Sequence, residues 1–255
     1  MIEKLKQNRF LFEELVKRDF KKKYKRTALG MMWSMLSPML NLLVMALVFT
    51  RFFGRDTPHY IIYLFSGNIV LSYYRESTKS GMVALTNNAN IFSKINVPKY
   101  LFLFSKNVSS LINFGLTLII YMVFVLIDGI SLHPRFLMLL IPIICLAVMS
   151  IGIGMILSSL FIFFKDTEYL YDIFLTLLTY VSAVFYRIDI FPDNARRLFL
   201  LNPVFVYINY FRTIVIDGMI PGLAYHGLCF LYAALFFGIG CWFYIHYNKK
   251  FIYYV

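Results

Sequence analysis

Charged side chains are scarce in this 255-residue chain, making up 15% of it against 60% hydrophobic residues. A soluble domain of this length needs far more polar surface to cover its core, so the composition places the chain in a bilayer. Acidic residues are rarer still, 13 Asp and Glu against 25 Lys and Arg. They are nearly absent from the middle of the apolar runs; Glu168 and Asp172, one helical turn apart, stand at the start of one. Ion-coupled carriers bury carboxylates near the membrane midplane, so this shortage argues against that class. The three cysteines, Cys145, Cys229 and Cys241, lie inside apolar runs without metal-ligand spacing, which argues against a disulfide or zinc site. No GxxxxGK[ST] phosphate loop occurs, so nucleotide hydrolysis is not encoded. The four histidines are scattered and form no HExxH pattern, and no Ser or Cys has a positioned base, which leaves a metal or nucleophilic hydrolase unsupported. The start of the chain is basic rather than apolar, so no cleaved signal peptide is expected.

What is present is a set of long apolar runs and an uneven distribution of cations. Six spans are expected: residues 33–53, 60–74 prolonged by the more polar 75–81, 101–127, 136–164, 169–185 and 224–247. Pro142, Gly152 and Gly154 in the fourth would bend it or admit a neighbouring helix closely. Ten of the 25 Lys and Arg fall in residues 1–30, a juxtamembrane cluster suited to the anionic cytoplasmic leaflet rather than to nucleic acid. With the N-terminus inside, 18 cations are cytoplasmic and seven external, so both termini are expected in the cytoplasm. The expected fold is therefore an all-α membrane protein, with residues 1–30 as an interface segment and 31–255 as the membrane domain.

Three segments outside the spans are informative. Ile2, Leu5, Phe12, Val16 and Phe20 fall within about 80° on a helical wheel, with Arg9 intruding, which predicts an amphipathic helix along the membrane surface; a simple topological anchor is the alternative. The connection at about 84–100 places the apolar pair Ile91 and Phe92 on a polar loop, where a short helix pressing on a partner would use it, and Pro98 suits the first turn of the next helix. The stretch 186–222 is too long for a turn and too apolar for a solvated loop. Asp193 or Asn194 starts one short helix, and the cap-then-proline pair Asn202-Pro203 starts another that stops near Gly218. With Arg196, Arg197 and Arg212 inside them, two such helices dip into the outer leaflet and return, or form a compact extracellular cap.

Against this background particular residues resemble a known family. Arg18-Asp19-Phe20-Lys21 with Tyr24, followed by Leu29-Gly30, Trp33 and Pro38, is similar to the RDxKxxY and LGxxWxxxxP opening of the type 2 ABC exporter permeases that move bacterial surface polysaccharides. Asn90-Ile91-Phe92-Ser93-Lys94 with Pro98 resembles their cytoplasmic coupling segment, and Lys165-Asp166 their Arg-Asp pair. Val184-Phe185-Tyr186, Phe191-Pro192 and Leu201-Asn202-Pro203 with Arg212 resemble the SPVfY, P and NP…R signature of the last external region, with Ala183 in place of the usual Pro. The likeness covers nearly the whole chain.

The resemblance implies a permease for O-antigen, capsule or teichoic acid in the bacterial plasma membrane, working as two copies with two separate ATPase subunits. ATP and magnesium would be bound by those partners, and the chain itself would need no cofactor. Asn90, Ile91, Phe92 and Lys94 would dock into an ATPase groove, with Lys165 and Asp166 as a second contact. Arg196, Asn202, Pro203 and Arg212 would shape the exit. Aromatic side chains suit a sliding saccharide, and Tyr180, Phe185 and Tyr186 are the conduit candidates, although lipid-facing belts use the same residues. Arg18, Lys21 and Arg26 at the entrance would meet a lipid-linked diphosphate or ordinary anionic phospholipid. An exporter of drugs or small lipids in the same superfamily is the second reading, and an ion-coupled carrier or intramembrane enzyme the third.

Overall fold

The computed structural model describes residues 8–24, 27–53, 58–94, 97–248 and 251. Among the described residues ten α-helices run in the order α1 (Arg9–Tyr24), α2 (Trp33–Phe53), α3 (Tyr60–Met82), α4 (Ala89–Phe92), α5 (Tyr100–Ile127), α6 (Leu140–Phe163), α7 (Thr167–Val181), α8 (Asp193–Phe199), α9 (Pro203–Val215) and α10 (Leu223–Tyr247). The regular structure among the described residues is otherwise short 3-10 turns, and no strand occurs. Among the described residues four stretches are long and apolar enough to cross a membrane: Trp33–Arg51, Tyr100–Ile127, Pro134–Phe163 and Leu223–Tyr247. The α8–α9 pair, bent by 105°, would be a fifth if taken as one span.

Helix α3 is the central element. Fifteen of its 23 residues are buried, and it packs against α5, α6, α9 and α2. Because Arg75, Glu76 and Lys79 interrupt its apolar character, its polar groups must find partners on neighbouring helices. Asn107 of α5 donates to Ser77 Oγ (2.6 Å) and accepts from Tyr73 (3.3 Å). Tyr171 of α7 donates to Thr78 Oγ1 (2.6 Å), and Lys79 pairs with Asp172 (2.7 Å). The main core surrounds this helix and includes Phe65, Tyr121, Met149, Tyr207 and Phe211.

The glycines expected to admit close neighbours do so. A Cβ on Gly240 would stand 2.8 Å from Gly152 Cα, so α6 and α10 touch backbone to backbone, and Gly81 meets Gly154 in the same way between α3 and α6. Without a hydrophobic drive between helices in lipid, such close backbone contact supplies the dispersion that holds a bundle together. Pro142 lies in the first turn of α6, where its missing amide hydrogen breaks no bond. Pro98 stands just outside α5 rather than in its first turn, with Lys99 as the cap residue.

A second, smaller core occupies the end of the bundle where α1 and α4 lie. Leu15, Ala84, Leu85, Phe92, Phe102, Met155, Ile162, Tyr244 and Phe251 meet there. Lys99 closes it, donating to the carbonyl of Asn248 (2.6 Å) with its ammonium 5.5 Å from the rings of Phe92 and Phe251. Burial pulls the Lys99 ammonium below the ordinary lysine range. Outward faces are apolar: Leu43, Leu47, Ile119, Ile173, Leu177 and Leu235 are all exposed.

Candidate functional site

Three polar stripes converge between α2, α3 and α5. Ser34, Ser37 and Asn41 recur at helical spacing on α2, Asn68, Ser72 and Glu76 on α3, and Ser110, Asn113 and Thr117 on α5. They enclose a cavity of about 480 Å³, completed by Thr27 and the rings of Trp33, Tyr73 and Phe114. The Asn113 amide donates to the Glu76 carboxylate at 2.8 Å across the space between α3 and α5. A smaller space of about 60 Å³ adjoins it, sharing Asn68 and Ser72 and lined further by Arg75, Thr179 and Phe185. Arg75 is exposed on this face and donates to Thr179 Oγ1 at 2.8 Å. The result is a polar strip along α3, between α2 and α7, whose exposed neighbours Leu43 and Leu47 on α2 and Ile173 and Leu177 on α7 are apolar.

At the end of the bundle away from α1, one buried cation organises the chain. Arg212 of α9 donates to the carbonyls of Ala183 (2.9 Å), Val184 (3.1 Å) and Tyr63 (3.1 Å) and to Ser66 Oγ (3.3 Å), and its guanidinium lies 3.4 Å from the Tyr63 ring centroid. Gly67 makes room: a Cβ there would stand 2.9 Å from the guanidinium. Ala183 has φ of 50°, a left-handed conformation that a proline ring could not adopt. Its place in the resembling motif is held by Pro, so the turn after α7 differs locally from that motif. Asn202 is buried, accepts from the amides of Val204 and Phe205 and donates to Ser182 Oγ (2.9 Å), so the expected cap-then-proline start of α9 is present and also fastens the turn. Pro203 is the first residue of α9. Gly218, with φ of 67°, lies three residues past the end of α9. Arg196 donates to the carbonyls of Phe191 and Asp189.

The three conduit candidates come together in the same place. Phe185 stacks on Phe49 of α2 (4.4 Å between centroids) and lies 6.3 Å from Tyr180. Tyr186 donates to the Tyr180 carbonyl, and Tyr60 and Tyr63 donate to the carbonyls of Phe185 and Tyr186. Tyr180 is exposed and Phe185 and Tyr186 are half-buried.

Of the residues expected at the entrance, Arg18 reaches the segment expected to meet a partner, through Asn88. Asp19 is buried under α1 and pairs with Arg18 (2.9 Å) and with Lys106 of α5 (3.0 Å), while Arg18 also donates to Asn88 Oδ1 (2.8 Å). Arg18 is thereby engaged within the chain. Lys21 is exposed, and Arg26 lies outside the described residues, as do Ile2 and Leu5. The buried line of α1 runs through Leu15 and Asp19, with Phe12, Val16 and Phe20 half-buried beside it and Arg9 exposed. In α4, Phe92 turns inward, 6.1 Å from Phe102 in the second core, and Ile91 is half-buried. Asn90 and Lys94 are exposed, so they form the outward side of this segment. Lys165 and Asp166 are exposed at the α6–α7 turn, with the Lys165 ammonium 4.4 Å from the Phe161 ring centroid.

The sequence reading did not single out the cavity residues Asn41, Asn68, Ser72, Glu76 and Asn113. Their signal was a polar residue recurring every three or four positions on three otherwise apolar segments.

Residues 11–216 match the model of a family described as ABC-2 type transporter. The chain is 27% identical over 225 residues to the O-antigen export system permease protein RfbA of Myxococcus xanthus, covering 87% of this chain and 86% of that protein. It is 25% identical over 214 residues to the protein of the same name from Klebsiella pneumoniae, covering 82% of each. It is 22% identical over 227 residues to the polysialic acid transport protein KpsM of Escherichia coli, covering 88% of this chain and 86% of that protein.

Proposed function

Because the chain belongs to the ABC-2 type transporter family, we propose that it is the membrane-spanning permease subunit of an ATP-driven exporter of lipid-linked surface polysaccharide in a bacterial plasma membrane. The observation that carries the reading is the polar strip on α3. Asn68, Ser72 and Arg75 face outward between α2 and α7, and side chains of that kind cannot be left against hydrocarbon. A second copy closing over this face would turn the strip into an enclosed aqueous path. Phe49, Phe185 and Tyr180 would stand at its far end. O-antigen, capsule and teichoic acid are the cargo classes; the names of the relatives above, O-antigen export and polysialic acid transport, favour a polysaccharide over a drug or small lipid.

The chain has no phosphate loop, so ATP and magnesium belong to a separate partner subunit. The outward residues Asn90 and Lys94, with Ile91 beside them, are its docking surface, and Lys165 and Asp166 a second contact. Helix α3 is about 34 Å long at 1.5 Å per residue, enough to cross. With α7 and the turn after it, α3 raises the crossings to six, both termini facing the cytoplasm in accord with the cation distribution. The 105° bend between α8 and α9 suits a re-entrant pair on the outer side, shielded by α3 and α10. Arg18, Lys21 and Arg26 lie at the cytoplasmic entrance, where lipid diphosphate or anionic headgroups would meet them.

Deletion of the gene in its host, followed by complementation, tests the reading. The expected result is loss of polymer from the cell surface, accumulation of lipid-linked polymer inside, and recovery with the wild-type chain. Undiminished surface polymer in the deletion strain refutes it.

A further inference from the structure

The cavity between α2, α3 and α5 lies to one side of the strip just described, sharing only Asn68 and Ser72 with its edge. Its volume, about 480 Å³, falls among small-molecule sites, which span about 300–1,000 Å³. Helices that needed polar groups only for association would close them on one another. Here Ser37, Asn41 and Ser72 are exposed and front an open space. Ser72 donates to Asn68 Oδ1 at 3.3 Å, but an acyl chain could not occupy the space without stranding the Ser37 hydroxyl and the Asn41 amide, each a loss of order 1–3 kcal/mol.

The wall chemistry selects a polyhydroxylated occupant. Hydroxyls and amides alternate with the aromatic residues Trp33, Tyr73 and Phe114 in the lining, a mixture that suits a pyranose ring, which carries hydroxyls at its rim and C–H groups on its faces. Glu76, held by Asn113 at 2.8 Å, offers a carboxylate to sugar hydroxyl donors and repels phosphate oxyanions. We propose that this cavity is a saccharide-binding site, and that it takes an uncharged stretch of the exported glycan before or during transfer into the path along α3. The site rests on the transport reading above.

The chain has two tryptophans, Trp33 in the cavity and Trp242 on the outer face of α10. The difference in intrinsic fluorescence between the Trp242→Phe and Trp33→Phe/Trp242→Phe chains, each purified with the ATPase subunit, therefore reports the cavity. The probe is lipid-free polysaccharide released from the host's own envelope by mild acid, with inorganic pyrophosphate as the parallel ligand. The expected result is a saturable change in Trp33 emission with the saccharide and none with pyrophosphate. Asn41→Ala and Ser72→Ala should each weaken the apparent Kd about three- to tenfold, the worth of one neutral hydrogen bond. Both positions are exposed, so co-purification with the ATPase subunit should be unchanged. Affinity in both variants equal to that of the chain with Asn41 and Ser72 intact, or a response to pyrophosphate alone, overturns the site. No saccharide response from a complex that exports polymer in cells overturns the site and leaves the transport reading standing. A wild-type chain that fails to restore surface polymer overturns both.

Discussion

Replacing Arg212 by Met would remove a buried cation that makes no salt bridge among the described residues. Its guanidinium instead serves three carbonyls and a hydroxyl, fastening the turn after α7 and the start of α3 to α9. Hydrogen bonds from a charged donor are worth about 1.5–3 kcal/mol each, so four give roughly 6–12 kcal/mol. Loss of the charge also relieves a desolvation penalty of several kcal/mol, leaving a net loss of about 3–5 kcal/mol. At 2–4 °C per kcal/mol, Tm should fall by roughly 6–20 °C. Arg212→Lys keeps the charge but not the planar fork, and should lose about 1–2 kcal/mol. Cys145 and Cys229 are buried, so a thiol-reactive dye reports their exposure as the purified chain is heated. A shift below about 2 °C for Arg212→Met would refute the view that this side chain pins the turn. Equal losses for Lys and Met would refute the role of fork geometry.

Two further substitutions separate packing from partner contact. Phe92→Asp should lower Tm by several degrees because it places a carboxylate in the second core beside Phe102, whereas Lys94→Glu should leave Tm unchanged and weaken co-purification of the ATPase subunit; unchanged Tm for Phe92→Asp would show that Phe92 is not an internal anchor. Gly240→Leu should part α6 from α10, since even a Cβ there meets the backbone of Gly152, and loss of folded protein by size-exclusion chromatography is the expected outcome. A monodisperse Gly240→Leu chain of wild-type Tm would refute the close crossing.

The apolar runs and the cap at Asn202 were legible because they depend on local chemistry. Run length marks α2, α5, α6 and α10, and the Asn-Pro pair marks the start of α9. The fate of individual polar groups was not legible, because it depends on which helix packs beside which. Arg212 read as one of the residues shaping an exit, and α9 carries it into the core, where the carbonyls of a turn 28 or 29 residues earlier receive it. Phe92 read as an apolar tip awaiting a partner, and the chain supplies the covering itself through Phe102 and Lys99. The fifth apolar run was expected to continue to residue 185, but α7 ends at Val181. The backbone then turns through Ala183, whose left-handed conformation, at a cost of about 1–2 kcal/mol, directs its carbonyl to Arg212.

The same arrangement says how movement at one end of the chain would reach the path. Asn88 lies one residue before α4, and its side chain both caps back to the Ala84 carbonyl (2.7 Å) and accepts from Arg18. Arg18 shares Asp19 with Lys106, and Lys106 lies one residue before Asn107, which bonds to Ser77 and Tyr73 of α3. A push on the outward face of α4 therefore acts on α1 and α5 through charged and hydrogen-bonded contacts, and on α3 through a buried polar pair. Close-packed interiors transmit such displacement rather than absorb it. The polar residues of α3 that front the strip and the cavity lie on the same helix as Ser77, within three turns of it. Helix α1, the α4 segment and the polar residues of α3 are thus joined by one chain of contacts, of which Arg18, with 41% of its side chain exposed against 18% for Lys106 and 3% for Asp19, is the member nearest the solvent.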